Sequence, residues 1–499
     1  MSALVVAVLL PGLAGICLAL ARAVVSARGA AAAGAAVSVL SLICVVASWS
    51  ARDGAYAGEV DHPWSTALGL HWHLGVDGIS LPLVVMTILL CVLVCWSLAA
   101  DVTSTTDDHE GAGVVLVALV LVIETASLGV FSALDLVLFF IFFELALIPM
   151  WFVIARWGDP GGGRLAATRF LMFTVTGSAL MLVGFVVIAV TAGTLQIPTL
   201  ADLPDPLTGT VPLLGGVAIA VGLAVKTPLW PLHIWLPDAH SKAPTVGSVL
   251  LAGVFLKLGT YGLLRVFVSV VPEPAARLAP YLGALAVAGI IASCLACLRE
   301  HDLKRLIAYS SVGHMGFVVL AISTMSEVGV LAAVFASVAH GLITGLLFFN
   351  AGWLKQRYGS ATFDALGRGL YTRVPRLGVV LLFAATASLG LPGLAGFWGE
   401  MLALRSAYEP SPALDRTLAW TLLTLAALGV VLTTAYFVRV VRRVLQGAAT
   451  PRDDDIDLTR TEAGISAVLA VAIVLLGVAP GLLTGVIEPA VGAIVQVAP

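Results

Sequence analysis

Apolar runs of about twenty residues recur along this 499-residue chain from its first residues to its last, and a helix of that length crosses the ~30 Å of hydrocarbon in a bilayer. About fourteen runs meet this criterion. They lie near 2–22, 29–49, 78–100, 112–131, 133–155, 164–192, 209–232, 245–268, 277–297, 304–324, 327–352, 377–405, 417–440 and 463–487. Unpaired backbone groups are so costly in lipid that spans of this length must be helices rather than barrel strands. Only 11% of the residues are charged and 60% are apolar, whereas an average soluble domain carries about a quarter charged residues. The expectation is an all-α polytopic membrane protein with no large soluble domain. The first run lacks a basic leader and a clear cleavage site, so it reads as a retained helix.

Basic residues concentrate in cytoplasmic loops, and this sets a direction. Arg22 and Arg28, Arg156 and Arg164, Arg299, Lys304 and Arg305, Lys355 to Arg376, and Arg442, Arg443 and Arg452 fall in or beside alternate loops. Those loops are expected inside and both termini outside. The acidic loop 101–111, with Asp101, Asp107, Asp108 and Glu110, departs from the pattern without outweighing it.

Other function classes are excluded by residue type. Gly158 to Gly163 is glycine-rich but lacks the Lys-Ser/Thr of a phosphate loop and reads as a turn. A net charge of −3 argues against nucleic acid as a partner. The six cysteines sit in or beside apolar runs. Cys294 and Cys297 have neither a second pair nor a histidine at ligand spacing, so no metal is expected.

The informative residues are ionisable groups deep in the runs, because a charge at mid-bilayer costs several kcal/mol unless it faces a partner or water. Glu144 stands at the centre of 133–155, Lys226 in 209–232, Lys257 in 245–268, His314 in 304–324, His340 in 327–352 and Glu400 near the end of 377–405. Of 26 basic residues only five are lysine, and two of those five are mid-span. Arginine does not release its proton at accessible pH, whereas a desolvated lysine is able to. A carboxylate at ~4 Å and an effective dielectric near 20 is worth about 4 kcal/mol to such a lysine, or roughly three pKa units. A switched proton carrier needs that range. Glu124, Asp135, Asp238 and His240 read as structural or loop-side groups, and the spacing around His233 does not decide its role.

Two runs carry helix breakers beside an ionisable residue, in Lys226-Thr-Pro-Leu-Trp-Pro and in Leu389-Gly-Leu-Pro-Gly-Leu-Ala-Gly-Phe-Trp-Gly-Glu400. Paired interruptions in two halves of a transporter mark ion sites. They occupy the fourth place in each of two five-run units, which the charge pattern orients oppositely. The expected fold is therefore two inverted five-helix repeats, each with a broken helix. The divisions expected are 1–111 for the first three helices, 112–268 and 277–444 for the repeats, and 445–499 for a loop and last helix.

These same stretches resemble a known family. Asp135 to Glu144, Lys226 to His240, Asp302 to His314 and Leu391 to Glu400 are similar to motifs of the antiporter-like membrane subunits of complex I and of Mrp-type cation/proton antiporters, and the match covers nearly the whole chain. The resemblance implies a proton path along Glu144, Lys226, Lys257, His314, His340 and Glu400, driven by quinone reduction elsewhere. It implies no redox cofactor in this chain, with NADH, FMN, iron-sulfur clusters and quinone in other subunits, and L-type and N-type neighbours, lipids and protons as partners. In L-type and N-type relatives the position of Glu400 looks like lysine, so glutamate favours the M-type branch. An Mrp-type sodium/proton antiporter and a hydrogenase-linked membrane subunit are the alternatives. The predominance of arginine over lysine points to a bacterial plasma membrane.

Overall fold

The computed structural model describes residues 2–52, 54–101, 107–203, 207–449, 452 and 454–495. The acidic side chains of the 101–111 loop lie outside what is described. Helices α1 (Ala3–Leu20) and α2 (Ala27–Ser50) lead into a hairpin of β1 (Ala57–Ser65) and β2 (Leu70–Val76), followed by α3 (Leu81–Asp101) and α4 (Asp107–Ser132). The fifth run is two helices, α5 (Leu136–Leu145) and α6 (Leu147–Trp157), and α7 (Gly163–Ala192) and a short α8 (Ile197–Ala201) come next. The seventh run ends as α9 (Thr210–Lys226), and the chain resumes as α10 (Trp235–Lys242). The eighth is α11 (Thr245–Leu250) and α12 (Leu256–Gly262), joined by one π-helical turn, Leu251–Phe255, and extended by another, Leu263–Val268.

The second half comprises α13 (Pro272–Arg299), α14 (Leu303–Ser323), α15 (Glu327–Tyr358) and the short α16 (Phe363–Leu366) and α17 (Leu370–Arg373). A second broken helix, α18 (Pro375–Ser388) and α19 (Ala395–Tyr408), precedes α20 (Arg416–Val440), α21 (Arg460–Val478) and α22 (Gly481–Val495). Among the described residues twelve helical spans are long and apolar enough to cross a membrane alone. The two broken helices supply the other two crossings expected.

Local chemistry explains where helices begin and stop. Asp135, Asp302, Ser326 and Asp415 accept hydrogen bonds from first-turn N–H groups of the helices they precede, and Thr459 with Glu462 forms a capping box on α21. The seventh run breaks where Pro228 and Pro231 remove backbone donors, so its second half begins beyond the 232 boundary anticipated. The twelfth breaks at Gly390, whose φ of 69° is open to glycine and whose added Cβ would meet Glu400 Oε2 at 2.8 Å. Two interruptions were not anticipated, at Ala146 in the fifth run and at Ala479-Pro480 in the fourteenth.

The hairpin is an addition to the expected helices. Leu70, Trp72, Leu74 and Val76 alternate with His71, His73 and Gly75, the period of a strand. His71 Nδ1 lies 2.6 Å from Asp61 Oδ1 and His73 Nε2 2.9 Å from Glu59 Oε1. Leu134 N–H donates to His73 O at 2.9 Å, pinning the hairpin to the link between α4 and α5.

Burial separates a central set of helices from a peripheral one. Val246 to Val271 is buried without interruption, so the rod bearing Lys257 touches protein on every side. α1 and α20 instead expose apolar stripes such as Leu13, Ile16 and Leu20, or Leu425, Leu428 and Val431. An exposed face of that composition suits lipid and not water.

Candidate functional site

Lys226 is the last residue of α9, so the interruption places its side chain where the backbone stops pairing. It is 1% exposed. Its Nζ has no hydrogen-bond partner and sits over three rings, 4.7 Å from the centre of Phe143, 4.8 Å from Phe255 and 5.9 Å from Phe170. An aromatic face attracts a cation but offers no oxygen to accept its N–H groups. Glu144 adjoins Phe143 at the end of α5, beside the Ala146 interruption, and its Oε1 is also buried without a partner. The two groups are neighbours through Phe143 but form no ion pair within 4.0 Å. The close contact considered from sequence is open in this arrangement.

Gly259 brings α12 against the end of α9, because a Cβ at that position would lie 2.6 Å from Thr227 N. Lys257, two residues before it, is fully buried. Its Nζ donates to Ala252 O at 2.5 Å and contacts His340 Nδ1 at 2.6 Å. Ala252 lies in the first π-helical turn, a feature common at functional sites.

From His340 the polar groups continue across the second half. The rings of His340 and His314 have centres 5.6 Å apart. His314 Nδ1 faces Ser310 O at 2.7 Å, and its Nε2 lies 3.1 Å from Ser388 O and 3.5 Å from Glu400 Oε1. His314, His340, Ser388 and Glu400 line one cavity of about 20 Å³, room for about one water. His340 Nε2 is buried without a partner, so a water in that space would have polar neighbours on several sides.

Four of the six candidates, Lys257, His340, His314 and Glu400, therefore form one connected group, and Glu144 and Lys226 form another. Phe255 lies under Lys226 and two residues from Lys257, between the two groups.

Other titratable groups sort differently. Asp135 caps α5 through Val137 and Leu138 N–H at 2.9 Å, and Asp238 pairs with Arg169 and Arg305 at 3.0 and 2.8 Å. Both make contacts that suit a structural group. Glu124 is fully buried and accepts from Ser38 at 2.6 Å. His233 is near Tyr309, with ring centres 6.3 Å apart. Cys294 and Cys297 are thiols, the latter donating to Leu306 O at 3.4 Å.

Sequence reasoning did not find the burial of four groups. His240, read as structural or loop-side, is fully buried and stacked 4.6 Å from Phe348, and neither ring nitrogen has a partner. Lys304, read as a loop cation, is 1% exposed and donates to Ala243 O at 2.7 Å. The scarcity of lysine was the available signal for it. Arg265 pairs with Asp77, both buried. Burial acts to raise Asp77, but the Arg265 guanidinium and bonds to Ser80 hold its carboxyl below the ordinary range.

Comparison with known proteins identifies the family of the chain. The family described as NADH:quinone oxidoreductase/Mrp antiporter, TM, matches residues 133–433. NADH-quinone oxidoreductase subunit M of Rhodobacter capsulatus is 40% identical, over 87% of this chain and 84% of that one. NAD(P)H-quinone oxidoreductase chain 4 1 of Synechococcus sp. (strain JA-2-3B'a(2-13)) is 38% identical, over 78% and 72%. A chain of respiratory complex I from Thermus thermophilus superposes with a TM-score of 0.86 at 29% identity, covering 99% of both chains. A chain of the Mrp complex from Dietzia sp. DQ12-45-1b has a TM-score of 0.85 at 19% identity, a likeness of fold alone. The chain belongs to the NADH:quinone oxidoreductase/Mrp antiporter family, alongside the relatives named subunit M.

Proposed function

We propose that this chain is the M-type proton-translocating membrane subunit of an NADH:quinone oxidoreductase, moving protons along Glu144, Lys226, Lys257, His340, His314 and Glu400. The observation that carries the reading is the succession of polar groups from Lys257 through His340 and His314 to Glu400, the last three around a water-sized cavity. Groups that costly to bury are retained where they carry or relay charge.

In the first half, Lys226 is the central carrier and Glu144 its gate. When the carboxylate is ionised and close, it favours the ammonium; when it is neutralised or withdrawn, desolvation expels the proton. Lys257 takes the proton through water and shares it with His340, and His314 passes it to Glu400 at the outlet.

Redox chemistry belongs to other subunits in this reading, which hold NADH, FMN, iron-sulfur clusters and quinone. L-type and N-type antiporter-like subunits are its membrane neighbours. The repeats are 112–268 and 277–444, and the arginine-rich alternate loops put both termini on the outer face of a bacterial plasma membrane. An Mrp antiporter subunit shares the scaffold, but Glu400 and the relatives named subunit M support the oxidoreductase.

Lys226→Ala tests the proposal in the assembled complex, with NADH oxidation and proton uptake followed together in vesicles. Assembly is retained and most proton transfer is lost if the role is right. An unchanged proton-to-electron ratio overturns it.

A further inference from the structure

Of the two histidines in the charged row, His314 has a partner at both ring nitrogens, and both partners are backbone carbonyls. Ser310 O lies 2.7 Å from Nδ1 and Ser388 O lies 3.1 Å from Nε2. A carbonyl oxygen only accepts, and a neutral imidazole carries one N–H. A neutral ring would therefore turn a lone pair against an oxygen at one of the two contacts. We infer that His314 is held as an imidazolium by these two carbonyls, and that Ser388 is the positioning residue which lets the ring give its proton up. The inference rests on the proton path proposed above and names where the proton waits on it.

The end of α18 explains why Ser388 O is available. Gly390 N–H donates to Ala387 O and Leu391 N–H to Thr386 O, the paired bonds of a helix closed by glycine. Leu389 N–H takes Ala385 O. In a continued helix Ser388 O would receive the N–H four residues on, and residue 392 is a proline, which has none. On the other side of the ring, Ser310 stands one turn before His314 on α14. The Ser310 hydroxyl donates to Ile307 O at 2.8 Å, so this residue offers the ring its carbonyl.

The first broken helix meets the same need with a different ring. There Val225 O accepts the indole N–H of Trp235 at 3.1 Å. An indole keeps its hydrogen, whereas an imidazole is able to lose one. The second break thus places a titratable donor where the first places a permanent one.

Glu400 Oε1, 3.5 Å from Nε2, supplies the opposite charge, and His340 is the other titratable ring facing His314, with 5.6 Å between centres. Ser388 is 3% exposed, and its Oγ is 3.5 Å from the same Nε2. Transfer toward the outlet, directly or through one water in the cavity these residues line, breaks Nε2–H and forms Oε1–H. The imidazolium becomes neutral and the carboxylate becomes an acid, so the pair has no net charge before or after. The lone pair left on Nε2 then faces the Ser388 hydroxyl, a donor. One residue offers an acceptor to the charged ring and a donor to the neutral one.

The test is nitrogen-15 solid-state NMR of the histidine-labelled complex in membranes, with the His314 signals identified by their loss in His314→Asn. At neutral pH both ring nitrogens are expected to carry a proton in most molecules. A single protonated nitrogen, with Glu400 as the acid, overturns the inference. Ser388→Ala keeps both carbonyls and removes the hydroxyl. Its His314 is expected to stay charged while proton uptake coupled to NADH oxidation slows at least about threefold, and Ser388→Thr should restore the rate. A neutral ring in Ser388→Ala, or uptake unchanged there, also overturns the inference. The charge on the ring is read without any proton movement, so a charged His314 in a complex that pumps nothing supports this site and refutes the function proposed above.

Discussion

Lys257 Nζ and His340 Nδ1 are 2.6 Å apart, a contact between two bases. At that distance two cations repel strongly, and two lone pairs without a proton between them repel as well. The arrangement is satisfied when one hydrogen, from the amine or from the ring, lies between the nitrogens. His340 Nε2, free on the far side of the ring, faces the histidine and glutamate that follow. A ring that takes a proton on one nitrogen and releases it from the other is a relay.

On the proposed path His340→Leu removes a relay, putting an apolar side chain of similar size in place of the ring. Proton uptake coupled to NADH oxidation should slow at least about tenfold, with the complex still assembled. Restoration by glutamine, which cannot exchange a ring proton, would contradict the relay role.

Gly399 packs α19 against α15 one residue before Glu400. A Cβ there would lie 2.9 Å from Ala336 Cα, a backbone atom that cannot turn aside. Gly399→Ala should cost about 1–3 kcal/mol of stability and move Glu400 away from His314. Thermal denaturation and proton uptake should therefore both fall, unlike His340→Leu, which changes uptake alone.

Breaking the Asp77–Arg265 pair leaves a buried charge without compensation. Arg265→Met should destabilise by about 3–5 kcal/mol, and adding Asp77→Asn should recover much of that loss. A double variant no better than the single one would show that the pair is not the source of the cost.

Arg373 and Asp455 supply a pH test outside the hydrocarbon. Hydrogen bonds from Arg373, opposed by burial and aided by Tyr358, pull the Asp455 carboxyl from 3.8 to about 2. A depressed carboxyl contributes stability above its unfolded value that is lost as pH falls through its folded value. The contribution, roughly 2 kcal/mol, should be complete above about pH 5 and vanish near pH 2. The difference in melting temperature between the wild type and Asp455→Asn should shrink over that window. A constant difference would contradict the assignment.

Much of this architecture could be read from one dimension because membrane helices follow the length and apolarity of each run. Lys226 and Glu400 announced themselves as charges beside proline and glycine. What escaped depended on contacts between distant segments. The burial of His240 was not legible because α10 begins after the break and the packing against Phe348 comes from the distant α15. Lys304 looked like a loop cation because its partner is a backbone carbonyl sixty-one residues away. The hairpin did leave a trace, the alternation of Leu70, Trp72, Leu74 and Val76, in a segment too short to stand out between two apolar runs. The π-helical turns around Lys257 leave no such trace, since they arise from how a wholly buried rod settles among its neighbours.

The continuity of the charged row is most directly tested by a density map of the assembled complex fine enough to resolve ordered water. Water is expected in the cavity between His314, His340 and Glu400, and a hydrated link is expected past Phe255 from Lys226 to Lys257. A dry, apolar gap between those two lysines in every resolved state, or the six side chains turned separately toward lipid, would contradict the account.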